Sequence, residues 1–140
     1  MNLKLMMFVT SFVATPVLAG NIMGNLVAKD IKAGPFQCSL WKSEDGFPDD
    51  KTKAMQVVQG SERSGEMICE FLNVEKGDYA ISASQDLNAN GKLDKNWVGI
   101  PKEPWGTTNN VRPSFRAPTF EESKFSFEGD TLKINFDVIQ

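Results

Sequence analysis

The sequence predicts an all-β protein, a seven-stranded antiparallel β-sandwich in a single domain. Apolar and polar residues alternate in short runs, the period of a half-buried strand and not of a helix. Gly, Pro, Asn and Asp separate those runs. A chain of 140 residues suffices for one hydrophobic core, and seven short strands in one twisted sheet would leave an apolar face in water, so two sheets are expected.

The first nineteen residues have a different character. Lys4 precedes an apolar run from Leu5 to Val13, followed by Thr15, Pro16 and the small-residue ending "VLAG". This reads as a secretory signal peptide over residues 1–19, cut after Ala19, with the β-sandwich domain over 20–140. The run is shorter than the roughly 20 residues that cross a bilayer, and no later stretch approaches that length. A soluble, periplasmic or secreted protein that does not span the membrane is therefore expected. No Cys follows the cut, so no lipid anchor is indicated there. Cleavage leaves 14 basic against 18 acidic side chains, a net charge of −4. Nucleic acid, which needs clustered Lys and Arg, is not an expected partner.

Seven strands follow in order: Asn21 to Lys29, Phe36 to Lys42, Ala54 to Gly60, Gly65 to Leu72, Asp78 to Gln85, Lys124 to Phe127 and Thr131 to Ile139. A helical turn is compatible with the start of the segment from Lys51 to Val58. The last strand is the clearest, with Leu132, Ile134, Phe136 and Val138 on one face and Lys133, Asn135 and Asp137 on the other. "EKGD" at 75–78 and "EGD" at 128–130 read as tight turns. Cys38 shares a face with Phe36 and Leu40, and Cys69 shares one with Met67 and Phe71. Both thiols should face the core, where export favours a disulfide; two separate buried thiols are the alternative.

From Trp97 to Phe120 the alternation stops. "WVGIPKEPWGTTNNVRPSFRAPTF" holds four prolines, two tryptophans and two phenylalanines, a long loop of the kind that is either functional or packed on itself. Its rings cap one end of the core, or Trp97 and Trp105 form a ligand-binding surface that stacks on a sugar or peptide.

The sequence contains no His, which removes Ser/His/Asp and Cys/His nucleophilic sites and His-ligated zinc or haem. Two cysteines cannot close a zinc site, and no glycine-rich phosphate loop occurs. The carboxylate pairs Asp49/Asp50 and Glu121/Glu122 are left for glycosidase-like work, but neighbours on a strand point to opposite faces, and solvated surface charge is the simpler reading. No catalytic residue is assigned, and a non-enzymatic domain is expected.

"QDLNANGKLDKNW" (85–97) is the one metal-like motif. EF-hand loops bind calcium through oxygens at positions 1, 3, 5, 7 (a carbonyl), 9 and 12, with Gly at 6. With Asp86 first, Asn88, Asn90, Gly91, the Lys92 carbonyl and Asp94 fall in place, and Trp97 at position 12 does not. A complete EF-hand is excluded. A weak structural calcium loop, completed by Asp49, Asp50 or Glu103, stands beside a metal-free turn, because Asn-Gly is itself a hairpin signal. Calcium is the only cofactor suggested.

"GFPDD", "CEFLNVEKGDYAISASQDLNANGKLDKNWVGIPKEPWGTTNN" and "APTFEESKF" together resemble the secreted bacterial family catalogued as domain of unknown function 2141, over roughly residues 22 to 139. The resemblance implies an exported single-domain β-sandwich of the transthyretin (prealbumin)-like kind with no established activity. The chain departs from the family's usual pattern in Gln85, where His is frequent, and in "GTTNN", where "GFSNN" is common. The expected function is thus an exported non-enzymatic domain whose 97–120 loop meets an unidentified envelope or extracellular partner. A carbohydrate- or peptide-binding module is the alternative, and an envelope hydrolase the third reading.

Overall fold

In the computed structural model, which describes residues 11–28 and 32–140, two β-sheets face each other across one core. The strands are β1 (Ala19–Val27), β2 (Phe36–Trp41), β3 (Gln56–Gln59), β4 (Ser61–Arg63), β5 (Glu66–Glu75), β6 (Gly77–Gln85), β7 (Trp105–Thr107), β8 (Phe125–Phe127) and β9 (Thr131–Asp137). One sheet runs β4-β5-β1-β9 and the other β3-β2-β6-β7, with β8 paired to β6. A single-turn helix α1 (Phe120–Ser123) and two short 3-10 turns, Lys51–Lys53 and Thr108–Asn110, complete the described structure.

Each expected strand has an observed counterpart, with bounds set by packing. Of the first, Lys29 lies outside the described residues. Alternation over Cys69 and Phe71 breaks at Leu72 and resumes at Val74. The register against β1 shifts there, between Gly20 and Ile22, and Asn73 takes a left-handed φ of 55°. The strand therefore runs on to Glu75 through a bulge. The expected helical turn at Lys51 is the first 3-10 turn, capped by the Asp50 side chain, which accepts the Thr52 amide proton at 3.2 Å.

Two expectations are corrected. Nine strands are present among the described residues; β4 and β7, with three residues each, are too short to show a period. The sandwich is also not wholly antiparallel, for β1 and β9 pair in parallel from Asn21↔Thr131 to Val27↔Asp137. The chain passes from β8, on the second sheet, to β9, on the first, and alternation carries no information on strand direction.

Phe36, Cys38, Leu40, Tyr79 and Ile81 from one sheet meet Ile22, Phe71, Val74 and Phe136 from the other, all buried. Burial at this scale, roughly 1.5–3 kcal/mol for each large apolar side chain, holds the sheets together. A disulfide joins Cys38 on β2 to Cys69 on β5 and so crosses the core between sheets. The outer face of the second sheet is covered in turn: Trp41 packs edge-on to Phe47 (5.6 Å), and Phe47 edge-on to Phe120 (6.2 Å). The Trp41 indole N–H donates to the Ser82 hydroxyl at 2.9 Å.

One corner closes the sandwich and sets the site. Trp105 and Ile139 exchange backbone hydrogen bonds of 3.0 and 3.1 Å, linking β7 on one sheet to the residues that follow β9 on the other. Gly106 permits the approach, since a Cβ there would lie 1.8 Å from the Asp137 carbonyl oxygen. Gln85, at the end of β6, is buried, and its amide donates to the Lys32 (2.5 Å) and Gly34 (3.2 Å) carbonyls. The connection from β6 to β7 leaves from this corner.

Candidate functional site

Residues 86–104 join β6 to β7 and contain the five loop residues expected to ligate a metal, Asp86, Asn88, Asn90, Lys92 and Asp94, together with Glu103. The buried Asp86 carboxylate accepts the amide protons of Asn90 (3.2 Å) and Gly91 (2.6 Å). Ala89 and Gly91 take left-handed φ values of 57° and 77° to make the turn. The Asn88 side-chain oxygen accepts from the Asn90 amide at 3.3 Å, and that of Asn90 from the Lys92 amide at 2.9 Å. Their amide nitrogens both donate to Asp94, Asn88 at 2.5 Å and Asn90 at 3.0 and 3.1 Å. Asp86, Asn88, Asn90 and Asp94 are therefore gathered on one short turn. The Lys92 side chain is exposed beside them.

Glu103 holds the base of this turn. It is 4% exposed, and its two oxygens accept the amide protons of Leu87 (2.8 Å) and Asp94 (3.0 Å). Of the three carboxylates considered for completing a shell, Glu103 alone bonds the turn. Asp49 pairs with the Lys95 ammonium, and Asp50 caps the 3-10 turn. Among the described residues, no three His, Cys, Asp or Glu side chains gather closely enough to hold a metal. A calcium ion here would draw on Asp86, Asp94, the Asn oxygens and main-chain carbonyls. The Asn88 and Asn90 amides would have to rotate, so that oxygen and not nitrogen faces the Asp94 side.

Lys51, which sequence reasoning missed, faces the same turn. Its half-buried ammonium donates to the Gln37 side-chain oxygen. Desolvation pulls its pKa below the ordinary lysine value against the opposing pull of Asp86, Glu103 and Asp49. It is a built-in cation beside the buried carboxylates. Thirty-five positions separate Lys51 from Asp86, and no local signal joins them. Lys51 also lines a small pocket of about 30 Å³ with Ser39, Ser82, Ser84 and Trp105 on the outer face of the second sheet.

Beyond the turn the chain forms a hairpin. The Lys102 amide donates to the Asp94 carbonyl (2.7 Å) and the Asn96 amide to that of Ile100 (2.8 Å), while Lys95 and Pro101 form a bridge. The Asn96 side-chain oxygen accepts the Val98 and Ile100 amide protons, each at 3.0 Å, and its carbonyl accepts that of Gly99 at 3.0 Å. Trp97 stands at this tip, 97% exposed.

Trp105, the other expected ligand-binding ring, is half-buried in β7. The Arg112 guanidinium lies over its ring at 4.4 Å and donates to the Trp105 and Ile139 carbonyls. Arg112 thus covers the Trp105 ring, whereas the Trp97 ring is bare. The 97–120 segment does not form one long loop, since it contains β7, the second 3-10 turn and the start of α1. The second acidic pair has structural contacts: Glu121 pairs with Lys124, and Glu122 joins Thr119 in a capping box and pairs with Arg116.

Among the described residues, no helix is long and apolar enough to cross a membrane. No curated protein and no solved structure matches the chain. A family model described as "Uncharacterized protein conserved in bacteria (DUF2141)" matches residues 29–135, a span that includes the disulfide, the 86–94 turn and the Trp97 hairpin. The chain belongs to this bacterial family, DUF2141.

Proposed function

We propose that this is an exported, non-enzymatic β-sandwich domain that presents the 94–102 hairpin to a partner at the cell envelope. The observation that carries the reading is Trp97, which stands 97% exposed on a tip braced by Asn96 and anchored through Glu103. A large ring held out in water on an ordered support is characteristic of a contact surface and not of a packing element. The first acidic pair supports a non-enzymatic role in the same way as the second, because Asp49 and Asp50 are engaged in a salt bridge and a cap.

Export is supported at the N-terminus. Phe12, Val13, Val17 and Leu18 are exposed and β1 begins at Ala19, beside the expected cut, while residues 1–10 of the expected signal peptide lie outside the described residues. The two-sheet strand order supports a transthyretin-like sandwich in which β4 and β7 are added to the seven expected strands.

The 86–94 turn is a weak structural calcium loop in this reading, supported by the convergence of Asp86, Asn88, Asn90 and Asp94. Its effect is to stiffen the base of the hairpin. Calorimetric titration with calcium, with thermal melts in calcium and in chelator, tests it. With dissociation near 1 mM, as in weak extracellular sites, a tenfold excess of calcium adds about 1.4 kcal/mol. Asp94→Asn should abolish both the heat and the rise in midpoint, and neither signal in the parent protein would remove calcium from the reading. Retention on isolated cell envelopes tests presentation: Trp97→Ala should lose it.

A further inference from the structure

We propose that the partner of the hairpin is the surface of an anionic lipid bilayer, with Trp97, Val98 and Ile100 entering the interfacial layer and Lys92 and Lys102 meeting lipid phosphates. This rests on the presentation reading above and names its target.

The tip is convex and apolar. Val98 and Ile100, beside the fully projecting Trp97, are 54% and 55% exposed. Sites for sugars and small ligands are concave and carry convergent polar groups, and none surrounds this ring. Trp with aliphatic neighbours is the composition that settles at a membrane interface.

Four of the five amide donors from Asn96 to Ile100 are already satisfied. The amides of Asn96, Val98, Gly99 and Ile100 all bond within the turn. Entry into a layer poor in water would therefore strand few donors, which is the main penalty for placing a loop there. A glycan-binding tip would instead be expected to offer such donors to its ligand.

The charge around the tip is opposite to that of the protein. Residues 92–102 contain three lysines and one aspartate on a chain of net charge −3, and with Glu103 and Asp49 engaged at the base of the hairpin the exposed positive charge is that of Lys92 and Lys102. The Asp94 carboxylate is turned onto the Asn88 and Asn90 amides, and Lys95 is held by Asp49. Among the described residues, neither Lys92 nor Lys102 pairs with a carboxylate, and both are exposed. Basic residues beside an interfacial anchor each strengthen binding to anionic lipid by about fivefold.

The test is co-sedimentation of the full chain, expressed with its N-terminal segment so that any processing occurs. The probes are vesicles of phosphatidylcholine alone and of phosphatidylcholine with an equal part of phosphatidylglycerol. Binding to the anionic vesicles should fall with salt, and the indole emission should shift to the blue. Trp97→Ala should cost about tenfold or more, with an unchanged melting midpoint because the ring packs on nothing. The double variant K92Q/K102Q should weaken binding to the anionic vesicles and leave that to phosphatidylcholine alone unchanged. Absence of binding, or binding indifferent to Trp97→Ala, overturns the lipid assignment. If vesicles stay free while retention on cell envelopes still requires Trp97, a protein or glycan is the partner and presentation survives. If neither depends on Trp97, both readings fall.

Discussion

The Glu103 carboxylate accepts the Asp94 amide proton at 3.0 Å while its other oxygen accepts that of Leu87 at 2.8 Å. One buried side chain thus ties the two ends of the 87–94 turn and fixes where the Trp97 hairpin starts. The contact is an anion on main-chain donors, stronger than a neutral pair.

Glu103→Gln keeps the shape and removes one acceptor, so that an amide nitrogen confronts a main-chain N–H. Stability should fall by about 1–3 kcal/mol, read from the denaturation midpoint in urea. Hydrogen exchange at Leu87 and Asp94 should accelerate more than in the core strands. Uniform acceleration throughout the sandwich would show that Glu103 acts on global stability and does not clamp the turn.

The disulfide closes a loop whose ends are 31 residues apart. Chain entropy assigns such a crosslink roughly 3.5–4 kcal/mol. The double variant C38A/C69A should lose stability on that scale, and reduction of the parent protein should do the same. A midpoint unmoved by reduction would mean that the core holds the two sheets without help.

Gly106→Ala drives a methyl group into the Asp137 carbonyl, where the Cβ position lies only 1.8 Å from the oxygen. Backbone cannot yield as a flexible side chain can, so β7 must move away from the end of β9. A loss of about 1–3 kcal/mol or more is expected, with faster exchange at the Trp105 and Ile139 amides. Gly91→Ala is the useful contrast: nothing crowds that position, and its φ of 77° makes any cost conformational.

The Arg116 guanidinium, followed by the Thr119 amide and hydroxyl, holds the Glu122 pKa down to about 2 from an ordinary 4.5. A carboxylate whose pKa is depressed by folding stabilises the native state above its unfolded pKa, and the contribution is lost as pH falls toward 2. The α1 cap should therefore loosen in acid below about pH 4.5 and not at neutral pH. A carboxyl-carbon NMR titration of Glu122 checks this, and a midpoint in the ordinary glutamate range would contradict the contacts with Arg116 and Thr119.

Much of this molecule is local in origin. Alternation marked seven of the nine strands, and it turned Cys38 and Cys69 toward the core, because side-chain direction in a strand follows from spacing alone. Asp86, Asn88, Asn90 and Asp94 were legible as one turn for the same reason, being close in the chain. The tertiary structure decided the rest. It set the parallel course of β9 along β1, formed β7 against Ile139, covered Trp105 with Arg112 and left Trp97 bare. It also brought Lys51 and Glu103 to the carboxylate turn. Each depends on what lies across from a residue and not on its own spacing, and periodicity records which way a side chain points but not what it will find there.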